Sequence, residues 1–140
     1  MSHFLTFVFV SLDETNIEQR VNQLVDPYFA YEGREDVDED QIKCDGFVIG
    51  GRYDQEILGI DPRYSLTPPE FEKRYGLDVI RIEDNVRLAP DVPRKLIPYA
   101  VVTPQSEWFE CNDYEDWPAR VEELLQQYNH YLVVAVDCHC

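Results

Sequence analysis

Residues 132–140 read LVVAVDCHC, so an apolar run passes directly into Asp137, Cys138, His139 and Cys140, four side chains that can carry a proton, a thiolate or a metal ion. In an extended chain alternate side chains point to opposite faces, so Asp137 and His139 share one face while Cys138 and Cys140 share the other. One tetrahedral site using all four is thereby excluded, and the chemical group that remains is Asp137 with His139. A carboxylate beside an imidazole fixes its orientation and tautomer, as general-base work or metal ligation requires. A second unusual stretch, FVIGGRYD at 47–54, holds Gly50 and Gly51, whose backbone N–H groups can approach a ligand, and Arg52, which can hold an anion. Each has a plainer reading. Asp137 and His139 can be a hydrogen-bonded pair that completes a packed edge, and Gly-Gly-Arg can be a turn whose arginine meets one of the many acids.

The remaining motifs mostly exclude. There is no GK[ST] phosphate loop, no G-x-S-x-G elbow and no HExxH. Cys44, Cys111, Cys138 and Cys140 form no CxxC pair, so free thiols and neither metal nor cofactor are the expectation. The opening stretch MSHFLTFVFVSLDET lacks a basic region and a small-residue cleavage site, and the run from Phe4 to Val10 is too short to span a bilayer. Cytoplasmic placement follows, inside a host cell if the chain is phage-encoded.

The elements that must position these residues are readable from periodicity. FLTFVFV at 4–10 has the β-branched and aromatic composition of a central strand. Thr15 to Glu18 forms a capping-box pattern, and Ile17, Val21, Leu24 and Val25 make one helical stripe that Pro27 closes. A second strand runs from Lys43 to Ile49, and YAVVT at 99–103 makes a third, turned by Pro104-Gln-Ser106 into a hairpin partner, EWFEC. Asp116 caps a second helix whose apolar face is Trp117, Val121, Leu124, Leu125 and Tyr128, and 131–137 is the last main strand. Between strands two and three, residues 54–98 read as a lid-like insertion, with a short helix from Thr67–Glu70 to Tyr75, a short strand in LDVIRIED and a proline-punctuated connection at 88–98. Without insertion and hairpin arm the order is βαββαβ, an α+β, ferredoxin-like single domain with both helices on one face and strand order 4-1-3-2. That topology gathers His3, Gly50, Gly51, Arg52, Tyr53, Tyr99, Asp137 and His139 at one sheet edge as a candidate ligand site, with Cys44 at the opposite edge.

Charge supplies the other candidate. With 28 acidic against 12 basic residues the formal net charge is −16, which disfavours direct contact with nucleic acid or anionic membrane and favours basic proteins. Two acidic runs stand out: Glu32, Glu35, Asp36, Asp38, Glu39 and Asp40, and then Glu107, Glu110, Asp113 and Glu115 around Trp108 and Tyr114. Carboxylates spaced along a surface imitate phosphates, and exposed aromatics such as Tyr31, Trp108, Tyr114 and Trp117 would anchor the contact.

CDGFVIGGRYD, YAVVTPQSEWFE and the terminal VVAVDCHC together resemble a group of small, uncharacterised phage and prophage proteins with an Ile-Gly-Gly-Arg-aromatic motif and a Val-Asp-Cys-His ending. The resemblance covers about a third of the chain. It departs at Gly46, Tyr53, Ser106 and Cys140, where the group has an aromatic, a tryptophan, a glycine and an aliphatic residue. It implies a phage origin and a compact α+β fold, and it brings no catalytic residue. The leading expectation is therefore an acidic interaction protein, an inhibitor of a host nucleic-acid-binding protein of the anti-restriction or anti-CRISPR type. The alternative is a small enzyme or ligand-binding protein for a phosphate-bearing small molecule or nucleotide at the Gly50–Arg52/Asp137–His139 edge. A homodimer formed through an edge strand is the third reading.

Overall fold

The computed structural model describes residues 3–30, 41–60 and 80–140. The fold is α+β, built on a mixed sheet that has six strands among the described residues. They are β1 (His3–Val10), β2 (Gly46–Ile49), β3 (Val86–Leu88), β4 (Ala100–Val102), β5 (Trp108–Glu110) and β6 (Leu132–His139), with helices α1 (Ile17–Val25) and α2 (Trp117–Gln127). Both helices form where the apolar stripes lie. Asp116 caps α2 through Ala119 N as expected, at 3.2 Å. The cap of α1 is Asn16, not Thr15, its Oδ1 accepting from Gln19 N at 3.1 Å.

The sheet order is β2-β6-β1-β4-β5, with β3 also on β6. As expected, β1 lies parallel to β4 and antiparallel to β6. The segment around 46–49, however, pairs with β6 and not with β4, so the order 4-1-3-2 does not hold. The hairpin explains the change. β5 follows β4 through a tight turn closed by Ser106 N and Glu107 N, so the free edge of β4 is filled by its nearest neighbour in sequence at small entropic cost. β2 must pair elsewhere, and the open edge of β6 accepts it.

The helices also lie on opposite faces, not on one. One face carries Leu5, Phe7, Phe9, Val101, Val133 and Ala135, and α2 covers it with Trp117, Val121, Leu124 and Leu125. The other carries Val8, Val10, Val102, Val134, Val136 and Cys138, and α1 covers it with Val21, Leu24 and Val25. Strands that are apolar at consecutive positions need a layer on each side. β1 is buried continuously from Leu5 to Val10, and β6 from Val133 to Cys138.

The segment expected to be a lid is a structural part of the sheet. β2 pairs with β6 as far as Ile49↔Val136, Gly50 N donates to Ala135 O at 2.9 Å, and β3 resumes along the same edge at Val86↔Val134. β2 and β3 are thus one interrupted strand. Asn85 closes the neck of the excursion between them: its Nδ2 donates to Asp54 Oδ1 at 2.6 Å and Arg81 O at 3.0 Å, and its Oδ1 accepts from Gln55 N at 3.0 Å. Ile57, Ala89 and Val92 enter the core beside α2. The strand expected in LDVIRIED is a 3-10 turn over Ile82–Asn85 in its described part. The helix expected at 67–75, Tyr31 and the acidic run at 32–40 lie outside the described residues.

Ile57 has no exposed surface, so Ile57→Ala is expected to lower stability by about 2–5 kcal/mol in urea denaturation. A loss below about 0.5 kcal/mol would mean that the excursion is not part of the cooperative core.

Candidate functional site

Asp137 sits near the end of β6 with only 3% of its surface exposed. A carboxylate this deep needs partners. His3 Nδ1 lies 2.8 Å from Oδ1, and Arg52 N donates to Oδ2 at 2.9 Å. The second contact depends on the two glycines. Gly50, at φ +80°, takes the chain off the sheet edge, and a 3-10 turn over Gly51–Tyr53 folds it back over Asp137. Gly51 has φ +52°, and a Cβ there would lie 2.4 Å from Asp137 Oδ2 and 2.5 Å from its Cβ. Only glycine fits that approach. Two residue pairs along, on the same face, His139 stands opposite His3, and its Nδ1 is 2.9 Å from Asp45 Oδ1. The two imidazole rings are 4.8 Å apart between centroids and tilted by 60°.

The expected convergence of His3, Gly50, Gly51, Arg52, Asp137 and His139 is therefore found, but by another route. It was expected from strand ends meeting, whereas the Gly-Gly turn brings Arg52 back over a strand already paired beside it. The guanidinium of Arg52 makes no ion pair among the described residues, and what the turn contributes is its main-chain N–H. Asp45, which holds His139, was not anticipated. Its role becomes visible only when Gly46 is placed opposite His139.

Of the other two expected members, Tyr53 goes elsewhere, and Tyr99 stays beside the group, bordering one cavity with His3 and Cys140. Tyr53 packs against the core cluster of Ile57 and Trp117. Tyr99 lies against Phe4, ring centroids 5.0 Å apart, and its hydroxyl donates to Glu110 Oε2 at 3.0 Å. Glu110 also accepts from Trp108 Nε1 at 3.1 Å and pairs with Lys43 Nζ at 3.2 Å. Burial pushes the Glu110 carboxyl up, but hydrogen bonds from Tyr99, Lys43 and Trp108 with the Lys43 charge outweigh it, and the group titrates below the usual range. Burial, then the bond to Glu110 and its charge, push the Tyr99 phenol up to about 12. These residues border a cavity of about 430 Å3 that also touches His3 and Cys140.

Several expectations about cysteines and aromatics need correction. Cys44 is not at the far edge. It shares a buried cluster with Cys138, its thiol donates to Tyr28 O at 3.8 Å, and the interaction between the two thiols lowers the pKa of Cys44 while raising that of Cys138. Trp108, Tyr114 and Trp117 are not exposed anchors. Trp108 stacks near Tyr28 and Phe4, Tyr114 packs between Phe109 and Trp117, and Trp117 is 6% exposed with Nε1 donating to Pro98 O. With β5 paired to β4 in the sheet, Trp108 packs against one core cluster and Phe109 and Tyr114 against the other. Of the second acidic run, Glu107, Asp113 and Glu115 remain exposed, while Glu110 is spent internally.

Among the described residues no group of three or more His, Cys, Asp or Glu side chains is arranged to hold a metal ion, and no helix is long and apolar enough to cross a membrane. Compared with protein-family models, curated proteins and solved structures, the chain matches none.

Asp137→Ala removes the acceptor of both His3 and Arg52 N, and about 1–3 kcal/mol of stability should go with it. Arg52→Ala keeps the main-chain donor and should stay within about 0.5 kcal/mol of the parent by the same denaturation assay. Glu110 has its folded value below the unfolded one, so its contribution is complete at neutral pH and is lost as pH falls below about 4.5. The stability gap between the parent and Glu110→Gln should accordingly narrow on acidification. A gap that widens would show that the hydrogen bonds do not hold the carboxylate ionised.

Proposed function

We propose that this chain is an acidic interaction protein that occupies the nucleic-acid-binding surface of a basic partner, an inhibitor of the anti-restriction or anti-CRISPR type. The observation that carries this reading is where the positive charge goes. Lys43 is held by Glu110, Arg94 by Glu122 at 2.5 Å, and Arg120 by Glu123 at 3.1 Å while lying over Phe109. Arg87 and Arg20 donate to the main-chain oxygens of Ile57 and Pro104. With these cations turned onto the protein's own acceptors, the described surface carries its negative charge outward on exposed carboxylates, among them Asp13 before α1, Glu18 in its first turn, and Asp113 and Glu115 beyond β5.

Because the aromatic side chains are committed to packing, the partner contact is dominated by charge. Such a contact forms rapidly and weakens steeply with salt. It takes the place of a phosphate backbone without requiring base-like surfaces, which suits a partner whose cleft binds nucleic acid through Lys and Arg. The ligand reading at Asp137 has less support, since both carboxylate oxygens are buried and engaged.

The test is affinity capture of bacterial nucleic-acid-binding proteins on the immobilised chain, with salt elution and competition by duplex DNA. Retention should be released by both, and Asp113→Lys/Glu115→Lys should weaken it about tenfold or more. Retention that ignores salt, DNA and charge reversal would sink the proposal.

A further inference from the structure

We propose that His3 and His139 form a binding site for a divalent transition-metal ion of the zinc and copper class, chelated between two adjacent strands. The two residues are directly opposite in the antiparallel register of β1 and β6, so their side chains leave the same face of the sheet as neighbours. Nothing in the acidic-interaction reading requires this pair.

The geometry suits an ion. A metal–nitrogen bond of about 2.0–2.1 Å places each imidazole centre about 3.2 Å from the metal, and nitrogen–metal–nitrogen angles from a right angle to tetrahedral then separate the ring centres by about 4.5–5.2 Å. The observed separation is 4.8 Å.

The outer contacts suit it too. His3 Nδ1 lies 2.8 Å from Asp137 and His139 Nδ1 lies 2.9 Å from Asp45. An ionised carboxylate only accepts, so in each neutral ring Nδ1 carries the hydrogen and Nε2 keeps its lone pair. Metal-binding histidines characteristically donate their second nitrogen to a carboxylate in this way, which fixes the ring and strengthens the ligand. Here both rings are held so, one by a buried acid and one by an exposed acid. The His3 and His139 side chains are 28% and 27% exposed, so an ion can reach them and water can complete its coordination. Two protein ligands with open positions make a site that binds and exchanges, unlike the closed four-ligand sites that hold small domains together. Imidazole favours zinc, copper and nickel over calcium or magnesium, and the strongly negative chain concentrates such cations near its surface.

The experiment is a zinc titration of the full chain by calorimetry, repeated on a Cys140→Ser background so that the exposed thiol is not the ligand. One ion should bind, with equal affinity in both backgrounds. His3→Gln and His139→Gln should each weaken it at least tenfold, Asp45→Asn should weaken it by about 10–100-fold, and the exposed control His130→Gln should leave it unchanged. Asp45 is exposed, so its variant keeps the test valid if a strand variant folds poorly. Zinc binding that survives His139→Gln would place the ion on His3 and its neighbouring main chain and overturn the proposal. Loss in Cys140→Ser, or no binding by the parent chain, would overturn it as well.

Discussion

Strand β6 has backbone donors and acceptors on both edges and apolar side chains on both faces, and the fold is what results from covering all four. β1 runs along one edge for the whole length of β6, while β2 and β3 share the other. α1 lies over one face and α2 over the other. Leaving an edge open would expose a row of unpaired peptide groups, and leaving a face open would expose a row of valines. The 50–85 excursion is tolerated because it leaves and re-enters along one strand line, so only Ala135 faces the break, and Gly50 N reaches its carbonyl.

The same constraint shapes the polar end. β6 stays paired to its last turn, so Asp137 is carried into a buried position where an isolated carboxylate would be costly. Gly51 gives the main chain room to approach, Arg52 N supplies one donor and His3 supplies the other. The Gly-Gly-Arg turn is therefore explained by the acid beneath it, without an anion at Arg52. His139, two pairs further out, escapes that burial and is tied to exposed Asp45, which leaves the two imidazoles side by side at the rim.

The charge has an equally local cause. Most described arginines and lysines brace the molecule, linking α2 to the segment after β3 through Arg94 and the 41–44 segment to the hairpin through Lys43. The acids outnumber them, and among the described residues Asp13, Glu18, Asp113 and Glu115 face solvent. A field of this kind follows from composition, but its reach depends on which carboxylates are spent inside, as Glu110 is.

Several features were legible in the residues themselves. Apolar spacing placed α1 and α2, β-branched runs placed β1, β4 and β6, and strict alternation put Asp137 and His139 on one face. Those are short-range properties, set by the period of each element. The two-sided burial of β1 and β6 was also written in their unbroken apolar runs, although an element order of βαββαβ pointed to a single helical layer. What no local pattern carries is which edge a strand chooses. A three-residue turn gives β4 a hairpin partner at small entropic cost, and β2 pairs with the open edge of β6 instead. From that one pairing come the placement of Cys44 beside Cys138, of Asp45 beside His139 and of Arg52 over Asp137. Composition and periodicity determined the elements and the charge. Competition for unpaired strand edges, a property of the whole chain, decided which reactive side chains meet.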